Sequence, residues 1–71
     1  MVTLYTRMSC PKCKVLKTKL AQKGIDYKLV EDEDDVYRFC NNNHIMELPI
    51  FVKDDGSILN FSEANRFINS L

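Results

Sequence analysis

The sequence lacks the features that mark membrane proteins, nucleic-acid-binding proteins and disulfide-framed domains. No apolar run approaches the roughly 20 residues that a helix needs to cross a bilayer. Ten basic and ten acidic side chains cancel, so no overall field attracts nucleic acid or an anionic membrane. The cysteines number three, and an odd number cannot form a fully paired structural framework. We therefore expect a small globular domain that binds neither nucleic acid nor membrane.

The N-terminal residues also lack the basic and apolar regions of a signal peptide, because residues 1–4 lead directly into the first predicted strand. We expect a cytoplasmic protein, in which thiols stay reduced and a close cysteine pair is typically catalytic or metal-binding. No repeat, linker or low-complexity segment divides the 71 residues. The sequence therefore predicts one domain over residues 1–71, and we expect it to be monomeric.

The order of apolar and turn-forming residues predicts an α/β domain with four strands and three helices. The predicted strands cover residues 2–6, 25–30, 48–52 and 57–61. The predicted helices cover residues 11–23, the stretch from the acidic run 31–35 to residues 41–43, and the C-terminal stretch after residue 61. The first two strands should be parallel, because a helix joins them. Asp55 and Gly56 suit positive φ and predict a hairpin turn between the last two strands.

Local signals mark the ends of these helices. Pro11 is favoured at the first position of a helix, and Gly24 suits a left-handed C-cap. The acidic run 31–35 fits the first turn of the second helix, where the helix dipole favours negative charge. Ser62 is predicted to cap the last helix, whose apolar face comprises Ala64, Phe67, Ile68 and Leu71.

Cys10 and Cys13 lie at the predicted junction between the first strand and the first helix. A Cys-x-x-Cys pair in this position is typical of redox sites. Thiol–disulfide exchange needs a thiolate that attacks and a second thiol that resolves the mixed disulfide. A helix N-terminus favours a thiolate at Cys10, whereas Cys13 lies one turn inside, on the apolar face with Leu16. We predict that Cys10 is the nucleophile and Cys13 the resolving thiol.

The neighbours of this pair are candidates for substrate binding. Arg7 could pair with a carboxylate of the incoming disulfide or stabilise the thiolate, although a plain surface cation is nearly as good an interpretation. Ser9 could hydrogen-bond the thiolate or nearby backbone. Pro11 fixes φ and stiffens the turn between the two cysteines, and Lys12 adds local positive charge.

These motifs and the order of the elements resemble the glutaredoxins and the related NrdH-type redoxins. Tyr5-Thr6-Arg7, followed by the two cysteines, is similar to the NrdH-type active-site segment, and Cys10-Pro11-Lys12-Cys13 is similar to the glutaredoxin one. Gly24-Ile25-Asp26-Tyr27 matches the passage from helix to strand in both. Leu48-Pro49 falls where both place a cis-proline beside the active site. The resemblance covers essentially the whole chain and implies a thioredoxin-like βαβαββα fold with a four-stranded mixed sheet.

The resemblance also implies a dithiol–disulfide oxidoreductase that reduces protein disulfides or glutathione mixed disulfides. Ribonucleotide reductase is one candidate protein substrate. The backbone of Leu48, beside Pro49, would face Cys10 and pair with an extended substrate strand. Glutathione or a flavoprotein thioredoxin reductase would restore the dithiol, with no tightly bound cofactor. Leu48 replaces the usual Thr or Val of glutaredoxins, and residues 59–63 lack their Gly-Gly-x-Asp segment, so both electron donors stay open.

Two other interpretations are compatible with the residues. Cys10, Cys13, Cys40 and His44 make a legitimate zinc set, and the first two could instead hold an iron–sulfur cluster. The predicted architecture opposes the zinc set, because it places the second helix, with a buried Cys40, on the opposite sheet face from the first. We expect His44 in an exposed loop and no bound metal. The remaining alternative is a redox-inert adaptor that keeps the fold for binding only.

Overall fold

The computed structural model describes residues 1–7 and 9–71. Its strands and helices follow the predicted order. They are β1 (Val2–Tyr5), α1 (Pro11–Gln22), β2 (Tyr27–Val30), α2 (Glu33–Asn42), β3 (Ile50–Val52), β4 (Ile58–Leu59) and α3 (Phe61–Asn69). Within the described residues, none of these helices is both long and apolar enough to cross a membrane.

The four strands form one mixed sheet in the order β2-β1-β3-β4. β1 and β2 are parallel, as the helical connection between them predicts, and Leu4 lies opposite Leu29. β1 and β3 are antiparallel, with Leu4 opposite Phe51, and β4 extends the sheet as the second strand of a hairpin. The predicted α/β fold with a four-stranded mixed sheet and three helices is confirmed.

The helices divide between the two faces of the sheet, because successive side chains of a strand point to opposite faces. One face carries the main core, in which α1 and α3 pack over Leu4 and Phe51. The members of this core are Leu4, Leu16, Leu20, Phe51, Ala64 and Ile68. On the other face the ring of Tyr5 stacks on Phe39 of α2, with the ring centroids 4.1 Å apart. The predicted separation of α1 and α2 onto opposite faces is confirmed.

The predicted signals at the ends of the first two helices are present in the structure. Cys10 is the N-cap of α1 and Pro11 its first residue, while Gly24 follows the C-cap Lys23 with φ of 66°. At α2, the Asp32 side chain accepts hydrogen bonds from two backbone N–H groups of the first turn. The acidic run therefore does cap and begin this helix.

The N-cap of the last helix lies two residues earlier than the sequence predicts. Asn60, not Ser62, is its N-cap: Asn60 Oδ1 accepts from the Glu63 N–H at 2.8 Å, and Glu63 Oε1 accepts from the Asn60 N–H at 3.1 Å. The prediction of Ser62 was wrong because only Asn60 has a glutamate three residues later to complete this reciprocal box. Leu71 lies beyond the helix and is 59% exposed, so it is not part of the apolar face.

The hairpin turn also differs in detail from the prediction. Of the two residues expected to suit positive φ, Gly56 has φ of 89°, whereas Asp55 does not enter this region. The Gly56 N–H donates to the Lys53 carbonyl at 2.9 Å, and the Lys53 N–H donates to the Ser57 carbonyl at 2.9 Å. This is a longer loop with a single left-handed residue rather than a two-residue turn, and β4 is correspondingly short.

Candidate active site

The chain passes from β1 to α1 at Cys10, and the helix start determines where this thiol lies. Cys10 Sγ accepts a hydrogen bond from the Cys13 N–H at 3.2 Å, as an N-cap side chain does. The Cys10 carbonyl accepts from the Lys14 N–H at 3.2 Å, which begins the helical ladder. The sulfur is half-buried and lies where free N–H groups and the helix dipole favour negative charge. Solvent can therefore reach the Cys10 sulfur at the positive end of the helix dipole.

Cys13 has the opposite environment. It lies on the inward face of α1 with Leu16 and Leu20, and only 1% of it is exposed. Burial, with a smaller contribution from the hydrogen bond to Cys10, raises the pKa of the Cys13 thiol to about 11. Both thiols are free. The pair therefore combines an accessible sulfur at the helix start with a buried, protonated one directly behind it.

Three of the predicted substrate-binding residues meet at one cavity. Arg7, Ser9 and Leu48 line a cavity of about 720 Å³, which we call the α2 cavity. Pro11 and Lys12 are exposed at the start of α1, and the Lys12 ammonium lies 5.5 Å from the centre of the Phe61 ring. Met8, between Arg7 and Ser9, lies outside the described residues.

The predicted cis-proline is present. The peptide bond between Leu48 and Pro49 is cis, and Pro49 is buried beside β3. Leu48 is half-buried and contributes to the wall of the α2 cavity. Its role in pairing with a substrate strand stays a prediction.

Apart from Thr6, which follows β1, the remaining wall of the α2 cavity comes from α2 and the segments on either side of it. The charged and thiol members are Glu31, Glu33, Asp34 and Cys40, and the apolar and aromatic members are Val36, Tyr37, Ile45 and Met46. Tyr37 is 72% exposed and Met46 98% exposed. The sequence did not predict this surface, because the acidic run 31–35 was interpreted only as the start of the second helix and no role was assigned to Tyr37.

The N-terminal part of the chain is similar to a known protein family. The glutaredoxin family model matches residues 2–42, which is more than half of the chain and contains both Cys10 and Cys13. The chain belongs to the glutaredoxin family. A comparison with curated proteins found no significant match.

Solved structures place this glutaredoxin in the thioredoxin-like fold. The glutaredoxin-like protein NrdH-redoxin from Escherichia coli, described as having a thioredoxin-like activity profile, superposes with a TM-score of 0.80. The two sequences are 21% identical, and the match covers 99% of this chain and 92% of that one. The thioredoxin-like protein BC3987 matches at a TM-score of 0.79 and 20% identity over 100% of both chains. The predicted thioredoxin-like fold and family are confirmed, and the family supports a thiol–disulfide redox function.

The zinc set considered from the sequence does not come together in this glutaredoxin. Cys40 is on α2 and lines the α2 cavity, and His44 lies in an exposed turn with φ of 54°. Among residues 1–7 and 9–71, no three His, Cys, Asp or Glu side chains are grouped so that they could hold a metal ion. Cys40 is half-buried rather than buried as predicted, because α2 leaves the cavity open beside it.

One polar cluster beneath the site was not anticipated. Lys17 Nζ donates to Glu31 Oε2 at 2.9 Å, and the Thr6 hydroxyl donates to the same oxygen at 3.4 Å. The hydrogen bond from Lys17 is the main cause that holds the pKa of Glu31 below its usual value. Lys17 lies four residues after Cys13, so both are on one face of the helix. This spacing was the signal in the sequence that could have placed Lys17 near Cys13. Which acid of the run 31–35 would face it depends on where β2 ends, and that register was not visible in the sequence.

Proposed function

We propose that this protein is a dithiol–disulfide oxidoreductase in which Cys10 attacks and Cys13 resolves. The observation that carries the proposal is the contrast within the pair. Cys10 Sγ is accessible and accepts the Cys13 N–H at 3.2 Å, whereas the Cys13 thiol is buried and remains protonated at neutral pH. A thiolate attacks disulfides and a thiol does not, so this contrast supports the proposed order of the two steps.

The proposed cycle transfers two electrons. The Cys10 thiolate attacks one sulfur of a substrate disulfide, forms a mixed disulfide and expels the other substrate sulfur as a thiolate. Cys13 loses its proton and attacks Cys10 Sγ, which releases the second substrate sulfur and closes the Cys10–Cys13 disulfide. The two substrate thiolates take up protons, so the substrate is reduced as the protein is oxidised. A donor of two electrons then restores the dithiol.

The substrate side of the site supports a protein disulfide or a glutathione mixed disulfide. Arg7, Ser9 and Leu48 line the α2 cavity, with Ser9 directly before Cys10 in the chain, and Lys12 is exposed in the first turn of α1. In this proposal Arg7 and Lys12 face carboxylates of the substrate, and the Leu48 backbone, beside the cis bond to Pro49, pairs with an extended substrate strand. Pro11 keeps the turn between the cysteines rigid. Cytoplasmic protein disulfides, among them that of ribonucleotide reductase, are the proposed substrates.

The proposed electron donor is either glutathione or a flavoprotein thioredoxin reductase, with no tightly bound cofactor. A coupled assay distinguishes them. The oxidised protein is offered reduced glutathione with glutathione reductase in one arm and thioredoxin reductase in the other, and NADPH consumption is followed. Turnover in one arm alone assigns the donor, and turnover in neither arm contradicts the proposed activity.

Substitutions of the cysteines test the assigned roles. Cys10→Ser should abolish reduction of both a protein disulfide and a glutathione mixed disulfide, because it removes the nucleophile. Cys13→Ser should lose reduction of protein disulfides yet retain removal of glutathione from a mixed disulfide, which needs one thiol. The unsubstituted protein is the reference and should show both activities. Equal survival of both activities in Cys13→Ser would show that Cys13 is not the resolving thiol.

A further inference from the structure

Lys17 and Glu31 carry charges that the cycle above does not use. They form an ion pair of 2.9 Å in which the side chains are 30% and 35% exposed. Thr6, whose exposure is only 1%, donates its hydroxyl to the same Glu31 oxygen. Charges held partly out of water act more strongly on their neighbours than surface charges do, since solvent screens them less. The neighbour to consider is Cys13.

The charged and titratable groups around Cys13 come from three segments. Lys17 lies one helical turn after Cys13 on α1, at the spacing that brings two side chains together. Cys10 is on the same helix, and the Arg7 backbone lies in the segment that precedes it. Glu31 follows β2 and contacts Lys17. Burial and the hydrogen bond to Cys10 raise the pKa of Cys13, while the Arg7 backbone and the Lys17 charge oppose this rise.

The balance of these groups changes in the course of the reaction. Once Cys10 is part of a mixed disulfide it carries no negative charge, so its repulsion of a Cys13 thiolate disappears. The positive charge of Lys17 still acts on Cys13 after the negative charge of Cys10 has gone. The step that then follows is the one in which Cys13 must become a thiolate, and Lys17 is placed to favour it.

We propose that the Lys17–Glu31 ion pair sets the rate of the resolving step, with Lys17 favouring the thiolate of Cys13 and Glu31 limiting that effect by neutralising Lys17. The inference rests on the dithiol function proposed above. Lys17 and Glu31 are positioning residues, because they act through Cys13 and need not touch the substrate. In this step Cys13 gives its proton to solvent, the new bond joins the two protein sulfurs, and the substrate leaves as a thiolate that takes up a proton.

Substituting Lys17 and substituting Glu31 should therefore have opposite effects on the rate of the resolving step. Lys17→Met removes the positive charge and should slow the resolving step. Glu31→Gln leaves the Lys17 charge without its counter-ion and should accelerate it at neutral pH, which lies below the range in which Cys13 titrates. A tenfold change in thiolate population is partly offset by an opposite change of about threefold in nucleophilicity, so the rate should change by about threefold for every tenfold change in thiolate population that a variant causes. A purely structural role of the pair would instead give effects of the same sign.

The experiment follows a single turnover in a Cys40→Ser background. Reduced protein is mixed with oxidised glutathione, quenched with acid at intervals, and analysed by intact-mass spectrometry for the mixed disulfide and for the internal disulfide. The rate of conversion of the first into the second is measured from pH 6 to pH 10. The expected result is a profile shifted to higher pH for Lys17→Met and to lower pH for Glu31→Gln.

Matched variants separate this role from effects of net charge and folding. Lys28→Met and Asp26→Asn remove exposed charges of each sign on or beside β2 and should leave the profile unchanged, and Lys17→Arg should retain the native rate. Glu31→Asp, which keeps the charge on a shorter side chain, should shift the profile in the direction of Glu31→Gln and serves if that variant does not fold. Unchanged profiles, or shifts of the same sign for Lys17→Met and Glu31→Gln, overturn the inference. If the protein with native Lys17 and Glu31 forms neither the mixed disulfide nor the internal disulfide, the proposed function is overturned instead.

Discussion

On one face of the sheet, α1 and α3 bury Leu16, Leu20, Ala64 and Ile68, whereas on the other face α2 buries only Val36 of its own residues. The first face holds the core cluster and Cys13. The second face leaves the α2 cavity open, with Tyr37 and Met46 at its wall. The comparison teaches that the packed core lies on one face of the sheet and the open cavity on the other, with Cys10 and Cys13 at the start of α1.

The largest effect that this comparison predicts is on stability, in the core beneath α1. Leu20→Ala should lower the free energy of unfolding by about 2–5 kcal/mol, because it removes buried methyl groups and leaves a cavity. Urea denaturation followed by circular dichroism measures the loss. Val15→Ala is the control on the same helix: Val15 is 41% exposed, and its truncation should change stability by only about 0.5 kcal/mol. Equal losses for the two variants would contradict the assigned core.

A smaller effect on the same face concerns pH. The Cys13 thiol keeps its proton up to about 11 in the folded protein, because burial raises its pKa from 9.0. Between these values the folded state binds more protons than the unfolded state, so stability falls as pH rises. The contribution of the protonated Cys13 thiol to the free energy of unfolding is fully present below pH 9.0 and is lost as the pH rises to about 11. At about 1.4 kcal/mol per pKa unit, the loss is roughly 2–3 kcal/mol.

Denaturation at several pH values between 8 and 12 tests this prediction, with Cys13→Ala as the reference for lysines and tyrosines that titrate in the same range. The unsubstituted protein should lose more stability over this interval than the variant does. Parallel curves for the two proteins would show that Cys13 is not held protonated by the fold.

The smallest effect on stability is expected at the α2 cavity. Tyr37→Ala should change the free energy of unfolding by only about 0.5 kcal/mol, since the side chain is exposed. If the cavity contacts protein substrates, the same variant should raise KM for a protein disulfide several-fold while the rate with a small disulfide stays unchanged. Steady-state kinetics with both substrates measure this. A loss of stability comparable to that of Leu20→Ala would contradict the assignment of the stabilising core to the opposite face of the sheet.

The sequence predicted the parts of the site that depend on local signals. Pro11 after Cys10, and Cys13 on the apolar side of α1, follow from helix geometry alone, and the position of the cis bond before Pro49 followed from the resemblance. The contact of Lys17 with Glu31 was not predictable, because it joins residues 14 positions apart whose facing depends on the register of β2.

The errors at the last helix and at α2 have a common physical origin. Asn60 and Ser62 can both cap a helix, and the choice depends on which start lets Glu63 complete the reciprocal hydrogen bonds. Cys40 lies on the apolar side of α2 in sequence pattern, but its burial depends on how much of that side the sheet covers. The periodicity of apolar residues predicts which face of a helix a side chain lies on. It does not predict how much of that face the sheet covers, and therefore how deeply the side chain is buried.

The exposed ring of Tyr37 gives the molecule an optical probe at the place where a partner is expected to arrive. The chain contains no tryptophan, and the other two tyrosines are half-buried. Quenching of its intrinsic fluorescence by iodide should therefore report mainly on Tyr37, and a docked macromolecule that shields this phenol will be visible without any attached dye.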